Sequence, residues 1–332
     1  MTTAIAQAHP NIALIKYWGN RDDGLRLPRN GSISMTLAGL HTVTRVRFDP
    51  DLELDSVTLN RRPAAPADRE RVVRHLDLVR SMAGASDKAE VVSANDFPAG
   101  AGLASSASAF AALTLAAAAA AGLDLTPTDL SRLARRGSGS ASRSVFGGYV
   151  EWRVGQDDES SFAEPIAGPD HWALVNLIAL VGTGPKPVGS TEGHQLAATS
   201  PLQEKRVASA GSRLAACRRA LLERDFARLG EVVELDCHLM HAVMQTCSPP
   251  LFYWAPASIA VMQAVRSWRE AGANVCYTLD AGPNVHCLCP ADSATEIGDW
   301  LQAVPGVSSV LRAGPGGPAR LLDSQDPLTA LL

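Results

Sequence analysis

Apolar and polar positions alternate in short runs at the start of the chain and shift to a helical period further on. Residues 4–8, 12–17, 42–48 and 56–60 are short β-type runs. Over residues 67–82 the apolar Val72, Val73, Leu76 and Val79 recur at helical spacing and predict a helix. A strand over 88–94 follows, then a long alanine-rich helix over 105–121. Thr126-Pro127 reads as another helix start, with Thr126 as N-cap and Pro127 in the first turn. That helix ends in the loop RRGSGSASRS, residues 135–144. Residues 148–154 and 172–181 read as strands.

Beyond a segment broken by Gly and Pro at 182–193, Ser200-Pro201-Leu202-Gln203 has capping-box spacing and predicts a helix to Glu223. Further helices are expected over 226–246, 256–271 and 294–303. Strands are expected over 275–280, 285–289, 308–312 and 319–322. Strands then helices, followed by short-linked alternation, predict an α+β protein. A length of 332 residues fits two domains, here 1–168 and 169–332, parted at Gly168-Pro169.

Composition changes this picture in three places. Hydrophobic residues make up 46% and charged residues 19%, enough to build a large core and wrong for disorder. The formal charge of −4 gives no basic surplus for nucleic acid or an anionic membrane. Residues 97–123 carry no charge at all, long enough to span a bilayer, but the run is mostly alanine with Pro, Gly and Ser at its start. A buried helix with a polar entry loop is expected. The opening MTTAIAQAHPN has neither a charged start nor an apolar core, and all six cysteines lie in the second half. A cytoplasmic location with reduced thiols is the expectation.

The sharpest candidate for chemistry is PAGAGLASSASA, residues 98–109. A strand leads into a glycine-rich turn, then serines, then a helix start. Glycines admit close approach of an anion, and the helix start offers free N–H groups and a positive dipole end. A tight turn with a serine N-cap is the plainer alternative. No Walker-type Gly-Lys-Ser/Thr occurs. The dinucleotide pattern is half met by Gly100 and Gly102, but Ser105 stands where its third Gly or Ala belongs, so an oxidoreductase reading is poorly served. Arg143 in the second Gly/Ser loop suits a carboxylate or phosphate. Asp280 in TLDAGPN ends an apolar strand, where side chains often face a cleft. In HPNIALIKYWGNRDD, polar Asn11, Lys16, Tyr17 and Asn20 interrupt an apolar run. Asp236, His238 and His241 are spaced for a shared helix face, yet no set of residues reads as a protein-built metal site. No GxSxG elbow marks a serine hydrolase.

These motifs together resemble the mevalonate 5-diphosphate / 5-phosphate decarboxylase family of the GHMP kinase superfamily. The resemblance is carried by NIALIKYWGNRD (11–22), NGSISMTL (30–37), NDFPAGAGLASSASAFAAL (95–113), RRGSGSASRSVFGGYVEW (135–152) and YTLDAGPN (277–284). It implies an N-terminal domain like ribosomal protein S5 domain 2, carrying the phosphate-binding loop, and a ferredoxin-like C-terminal domain. ATP with Mg²⁺ and a mevalonate phosphate would occupy the cleft between them. ATP would phosphorylate the tertiary 3-hydroxyl, and the 3-phosphate would leave as the carboxylate departs as CO₂. A homodimer is also implied.

The resemblance assigns roles. Asn95, Pro98, Gly100, Ala101, Gly102, Leu103, Ser105, Ser106 and Ser108 would bind ATP. Asp280 would lie beside the 3-hydroxyl, Arg143 would hold the substrate carboxylate, and Lys16 would neutralise charge near the transferring phosphoryl group. Asn11, Tyr17, Asn20, Ser138, Ser140, Ser190 and Thr191 would line the substrate pocket. Relatives that phosphorylate without decarboxylating lack the Asp/Arg combination retained here. Members using the diphosphate typically carry a lysine where this chain has Asn20, in a chain with only four lysines. On that departure, and on Thr191 where a bacterial pattern has Arg, mevalonate 5-phosphate giving isopentenyl phosphate is the expected reaction. The diphosphate giving isopentenyl diphosphate is the alternative.

Overall fold

The computed structural model describes residues 2–97, 105–182, 184 and 188–332. The first half is built on a six-stranded sheet. Strand Thr2–Ala8 lies antiparallel to Thr42–Asp49, which pairs in turn with Lys88–Asn95. Ser56–Leu59 runs parallel to Lys88–Asn95, and the crossover between them contains helix Pro66–Ala83. Parallel neighbours need such a crossover, because a tight hairpin can join only antiparallel strands.

Helix Ser105–Ala120 packs on this sheet. Phe110, Leu113, Ala116 and Ala117 meet Val46, Leu76 and Val91 in one core. Its alanines are buried nearly all round, which accounts for the missing charge. No helix among the described residues is long and apolar enough to cross a membrane. Thr126 accepts from the Asp129 N–H at 3.2 Å and starts helix Pro127–Gly137 as its sequence predicts.

A four-stranded sheet, in the order Ala163–Ala167, Tyr149–Trp152, Ser32–Thr36, Asn11–Ile15, faces the second half. Its Ile12, Ile33 and Met35 share a core with Leu229, Val233, Cys276 and Leu288. The second half carries its own sheet, in the order Cys276–Thr278, Val285–Pro290, Leu174–Leu180, Ser309–Ala313, with helices Phe226–Thr246 and Pro256–Glu270.

Several local expectations need correction. Ser32–Thr36 is a buried strand that the sequence reading missed, because Ser32 and Ser34 break its apolar pattern. Ser190–Leu196 is helical inside the segment expected to be irregular. The helix expected from Ser200 to Glu223 is two helices, Gln203–Ala208 and Ala210–Glu223. Ser200 makes no capping box with Gln203, because the Gln203 amide instead reaches the Trp18 carbonyl at 2.9 Å. The strand Arg320–Leu322 crosses back to pair with Thr2–Ala8, so the end of the chain completes the sheet on which the first half is built.

Candidate active site

Lys16 follows strand Asn11–Ile15, and its backbone is fixed from both sides. Its N–H donates to Asp236 Oδ2 at 2.6 Å. Its carbonyl accepts from Asn30 Nδ2 at 2.9 Å and Arg206 Nη2 at 2.8 Å. Asp236, on helix Phe226–Thr246, is fully buried, and its other oxygen takes Arg213 Nε at 2.6 Å. A buried acid so fully paired is an anchor, which gives it a role other than metal ligation. From this anchored backbone the Lys16 side chain, itself buried, donates from Nζ to Asp280 Oδ1 at 2.6 Å. Asp280 follows strand Cys276–Thr278 of the other half. The ion pair therefore joins the two halves in the lining of a cleft.

Arg143 is held differently. It lies in the short helix Ala141–Ser144 and is buried. Its Nε donates to Ser34 Oγ at 2.9 Å, Nη1 to Ser32 Oγ at 2.6 Å and Nη2 to Asn11 Oδ1 at 3.0 Å. All three acceptors are neutral. They fix the guanidinium without cancelling its charge. Burial pushes its pKa down to about 10, and the charge of Asp280 opposes that fall. The serines that break the pattern of Ser32–Thr36 are there for this cation. Asn11 is itself fixed, donating from Nδ2 to Ser144 Oγ at 2.8 Å.

Asp280, Lys16 and Arg143 line one cleft of about 290 Å³ together with Asn11, Tyr17, Ser138 and Ser140. Ser190 and Thr191, at the start of helix Ser190–Leu196, border it as well. Asp280 is the one carboxylate among the described lining residues. Ser106, Ser138 and Ser140 place their hydroxyls in a row, 3.3 and 3.4 Å apart. The loop bearing Ser138 and Ser140 packs tightly on Tyr17. A Cβ on Gly139 would come within 2.6 Å of the Tyr17 ring, so only glycine fits.

Ser105 and Ser106 also border an adjoining cavity of about 340 Å³ with Asn95. Leu59, Val72, Val91, Phe110 and Leu113 make that cavity largely apolar. The first turn of helix Ser105–Ala120 holds no acid, so its positive end is unopposed. Ser108 lies elsewhere: it is buried, accepting from Thr42 Oγ1 at 2.6 Å. Pro98, Gly100, Ala101, Gly102 and Leu103 lie outside the described residues. Asn20 borders a third cavity, accepting from the Tyr17 hydroxyl and donating to Asp23 Oδ1 at 2.8 Å.

Three titratable cleft residues were missed from sequence. Arg26 and Arg71 line it, and His194 closes one side. His194 Nδ1 accepts from the Gly19 N–H at 2.9 Å, which puts its proton on Nε2. Burial lowers its pKa to about 3, so it stays neutral against Tyr17 and Trp18, with ring centroids at 4.1 and 4.6 Å. Nothing local in the sequence marked these residues. They come from a hairpin turn, from the middle of helix Pro66–Ala83, and from a helix that was not expected.

The chain is similar in sequence and fold to known proteins. Residues 8–163 match the family model for the diphosphomevalonate decarboxylase-like N-terminal domain. Residues 176–312 match that for the mevalonate 5-diphosphate decarboxylase C-terminal domain. The diphosphomevalonate decarboxylase of Aspergillus fumigatus is 39% identical, covering 94% of this chain and 83% of that protein. The mevalonate diphosphate decarboxylase of Staphylococcus aureus superposes with a TM-score of 0.92 at 38% identity, covering 97% of this chain and 98% of that one. A protein solved in complex with MVAPP, AMPPCP and magnesium does so with the same score and identity, covering 97% and 99%. With both domain models matched in order, the α+β architecture is the GHMP kinase fold, and the chain belongs to the diphosphomevalonate decarboxylase family.

Proposed function

We propose that the protein is an ATP-dependent decarboxylase that converts mevalonate 5-diphosphate to isopentenyl diphosphate, releasing ADP, phosphate and CO₂. The observation that carries this reading is the convergence of Asp280, Lys16 and Arg143 in one cleft, with Arg143 held, among the described residues, by neutral oxygens. A buried guanidinium without a bound acid is suited to take a substrate carboxylate.

The residues present fit ATP. The apolar cavity beside Asn95 suits a base, and the serines and the helix start at Ser105 suit its phosphates. Magnesium travelling with ATP takes most of its ligands from phosphate and water, which suits a cleft with few carboxylates. When bound, it would neutralise phosphate charge. Asp280, fixed by Lys16, orients the 3-hydroxyl and accepts its proton as the bond to phosphorus forms. A tertiary alcohol is a far weaker acid than a carboxylic acid, so orientation and charge contribute more than prior deprotonation. Lys16 offsets negative charge that develops beside Asp280. Arg143 holds the carboxylate in line until the carbon–carbon bond breaks, and that bond's electron pair forms the new double bond as the 3-phosphate leaves.

The choice of diphosphate departs from the monophosphate expected from sequence. That expectation rested chiefly on Asn20 as a missing cation and more weakly on Thr191. The relatives named above are diphosphate decarboxylases, and Arg26 and Arg71 bring two cations to the cleft wall. Steady-state ADP release on mevalonate, its 5-phosphate and its 5-diphosphate tests the reading. The highest kcat/KM is expected for the diphosphate; a clear preference for the monophosphate would return the sequence-based reading.

A further inference from the structure

Arg26 sits in the hairpin between strands Asn20–Asp22 and Leu27–Pro28, with a backbone φ of 50°. A non-glycine residue pays for that left-handed conformation, which makes it worth asking what holds the side chain. Its Nε donates to the Arg136 carbonyl at 3.1 Å, and among the described residues no carboxylate pairs with it. Arg71 lies on the same cleft wall, its Nε buried without a hydrogen-bond partner and its guanidinium 5.1 Å from the centre of the Phe110 ring. Arg71 also has no ion pair among the described residues. The two cations oppose each other, for burial and the charge of Arg26 both lower the Arg71 pKa. The nearby acids are Asp23 on the Arg26 hairpin, Asp68 one turn before Arg71, whose charge raises the Arg71 pKa, and Asp77, which borders the adjoining cavity and pairs with Arg80; among the described residues none of the three forms an ion pair with Arg26 or Arg71.

Both arginines line the cleft with Asp280 and also the adjoining cavity of about 470 Å³ that Asn20, Arg74 and Arg136 border. The Asn20 amide is spent on Tyr17 and Asp23 and adds no charge. Two guanidiniums with no ion pair among the described residues, at the junction of the cavities, form a place for an anion longer than one phosphate. We propose that Arg26 is a specificity-determining residue that reads the terminal phosphate of the substrate's 5-diphosphate, supplying the positive charge that Asn20 does not. This rests on the diphosphate reading given above. Arg26, at the end of the hairpin turn, would take the terminal phosphate, and Arg143, which lines the same cleft, the carboxylate, so the two arginines would fix the two charged ends of one substrate.

The test compares wild type, Arg26→Ala, Arg26→Lys and the double variant Asn20→Lys with Arg26→Ala. Each is measured for kcat/KM on mevalonate 5-diphosphate and 5-phosphate, and for the dissociation constant of the 5-diphosphate by calorimetry without ATP. Loss of one charge-assisted contact predicts that Arg26→Ala loses about 10–100-fold more on the diphosphate than on the monophosphate. The change should sit in KM and be matched in the dissociation constant. Arg26→Lys should retain part of the preference, and Asn20→Lys should restore it. Equal losses on both substrates, or an unchanged dissociation constant, overturn the role of Arg26. If wild type itself releases no CO₂ from the diphosphate, the diphosphate reading falls and takes this proposal with it. If wild type does so and Arg26→Ala does equally well, only the role of Arg26 falls.

Discussion

Two buried cations face the same cleft and are held in opposite ways. Lys16 has a carboxylate at 2.6 Å from its ammonium, and its backbone hangs on a second buried acid, Asp236. Arg143 has three neutral oxygens and no acid bonded to it among the described residues. The first cation is already partnered and can set the position and charge of Asp280. The second is fixed in direction with its charge left for a partner that arrives with the substrate. On the proposed function, the contrast separates two tasks at one site: assisting phosphoryl transfer at the hydroxyl and holding the carboxylate that will leave.

The largest expected effect comes from breaking the Lys16 side. Asp280→Asn keeps the size of the side chain but cannot take the hydroxyl proton. It should lower kcat by about 10²–10⁴-fold in an ADP-release assay, the range for loss of a positioned acid–base group. A near-normal kcat would remove Asp280 from the chemistry. Arg143→Gln comes next. It should cost roughly 10²–10³-fold in kcat/KM, the scale for losing a preorganised electrostatic contact in a water-poor site. An effect no larger than that of an exposed arginine would show that the carboxylate binds elsewhere.

Ser32→Ala sharpens the comparison on a finer scale. It leaves Arg143 charged and removes one of its three fixed acceptors. A hydrogen bond with one charged partner is worth about 1.5–3 kcal/mol, which predicts a fall in kcat/KM of roughly tenfold or more with little change on the Lys16 side. Saturating kinetics at several substrate concentrations would read it. The smallest effect on activity and a clear one on stability is expected from pH. Burial lowers the pKa of His75, His194 and His241 to about 3 each, against 6.5 when unfolded. The unfolded chain therefore binds more protons between these values, so folding stability falls as pH drops from 6.5 toward 3. His241, whose pKa is held down by burial and then by the charge of Lys16, belongs to the Lys16 side. His241→Gln should flatten the acid decline in urea-unfolding midpoints; an unchanged slope would mean that His241 is not neutral in the fold.

Much of this was legible in the sequence, for a physical reason. The long helices declare themselves by period and caps, as Thr126-Pro127 did, and the uncharged run after Asp96 declared a buried helix. Asp280, Arg143 and Lys16 stand in distinctive local settings. What escaped depends on long-range contacts. Ser32 and Ser34 look like breaks in a strand until Arg143, more than a hundred residues later, is seen to need them. Gln203 has capping-box spacing, but the Trp18 carbonyl competes for its amide and wins. Arg26 sits in an ordinary hairpin, and only the folded cleft brings it beside Arg71. Asn20 was read as a missing charge and led to the monophosphate, but the fold brings Arg26 and Arg71 to the same cavity, which one residue type at one position could not reveal.

The central claim is that one cleft couples phosphoryl transfer at the Lys16–Asp280 side to loss of the carboxylate held at the Arg143 side. It is tested most directly by measuring ADP and CO₂ together during turnover of mevalonate 5-diphosphate. The account predicts one CO₂ for each ADP throughout the reaction. ADP accumulating without CO₂ would contradict it and leave a 3-hydroxyl kinase in its place.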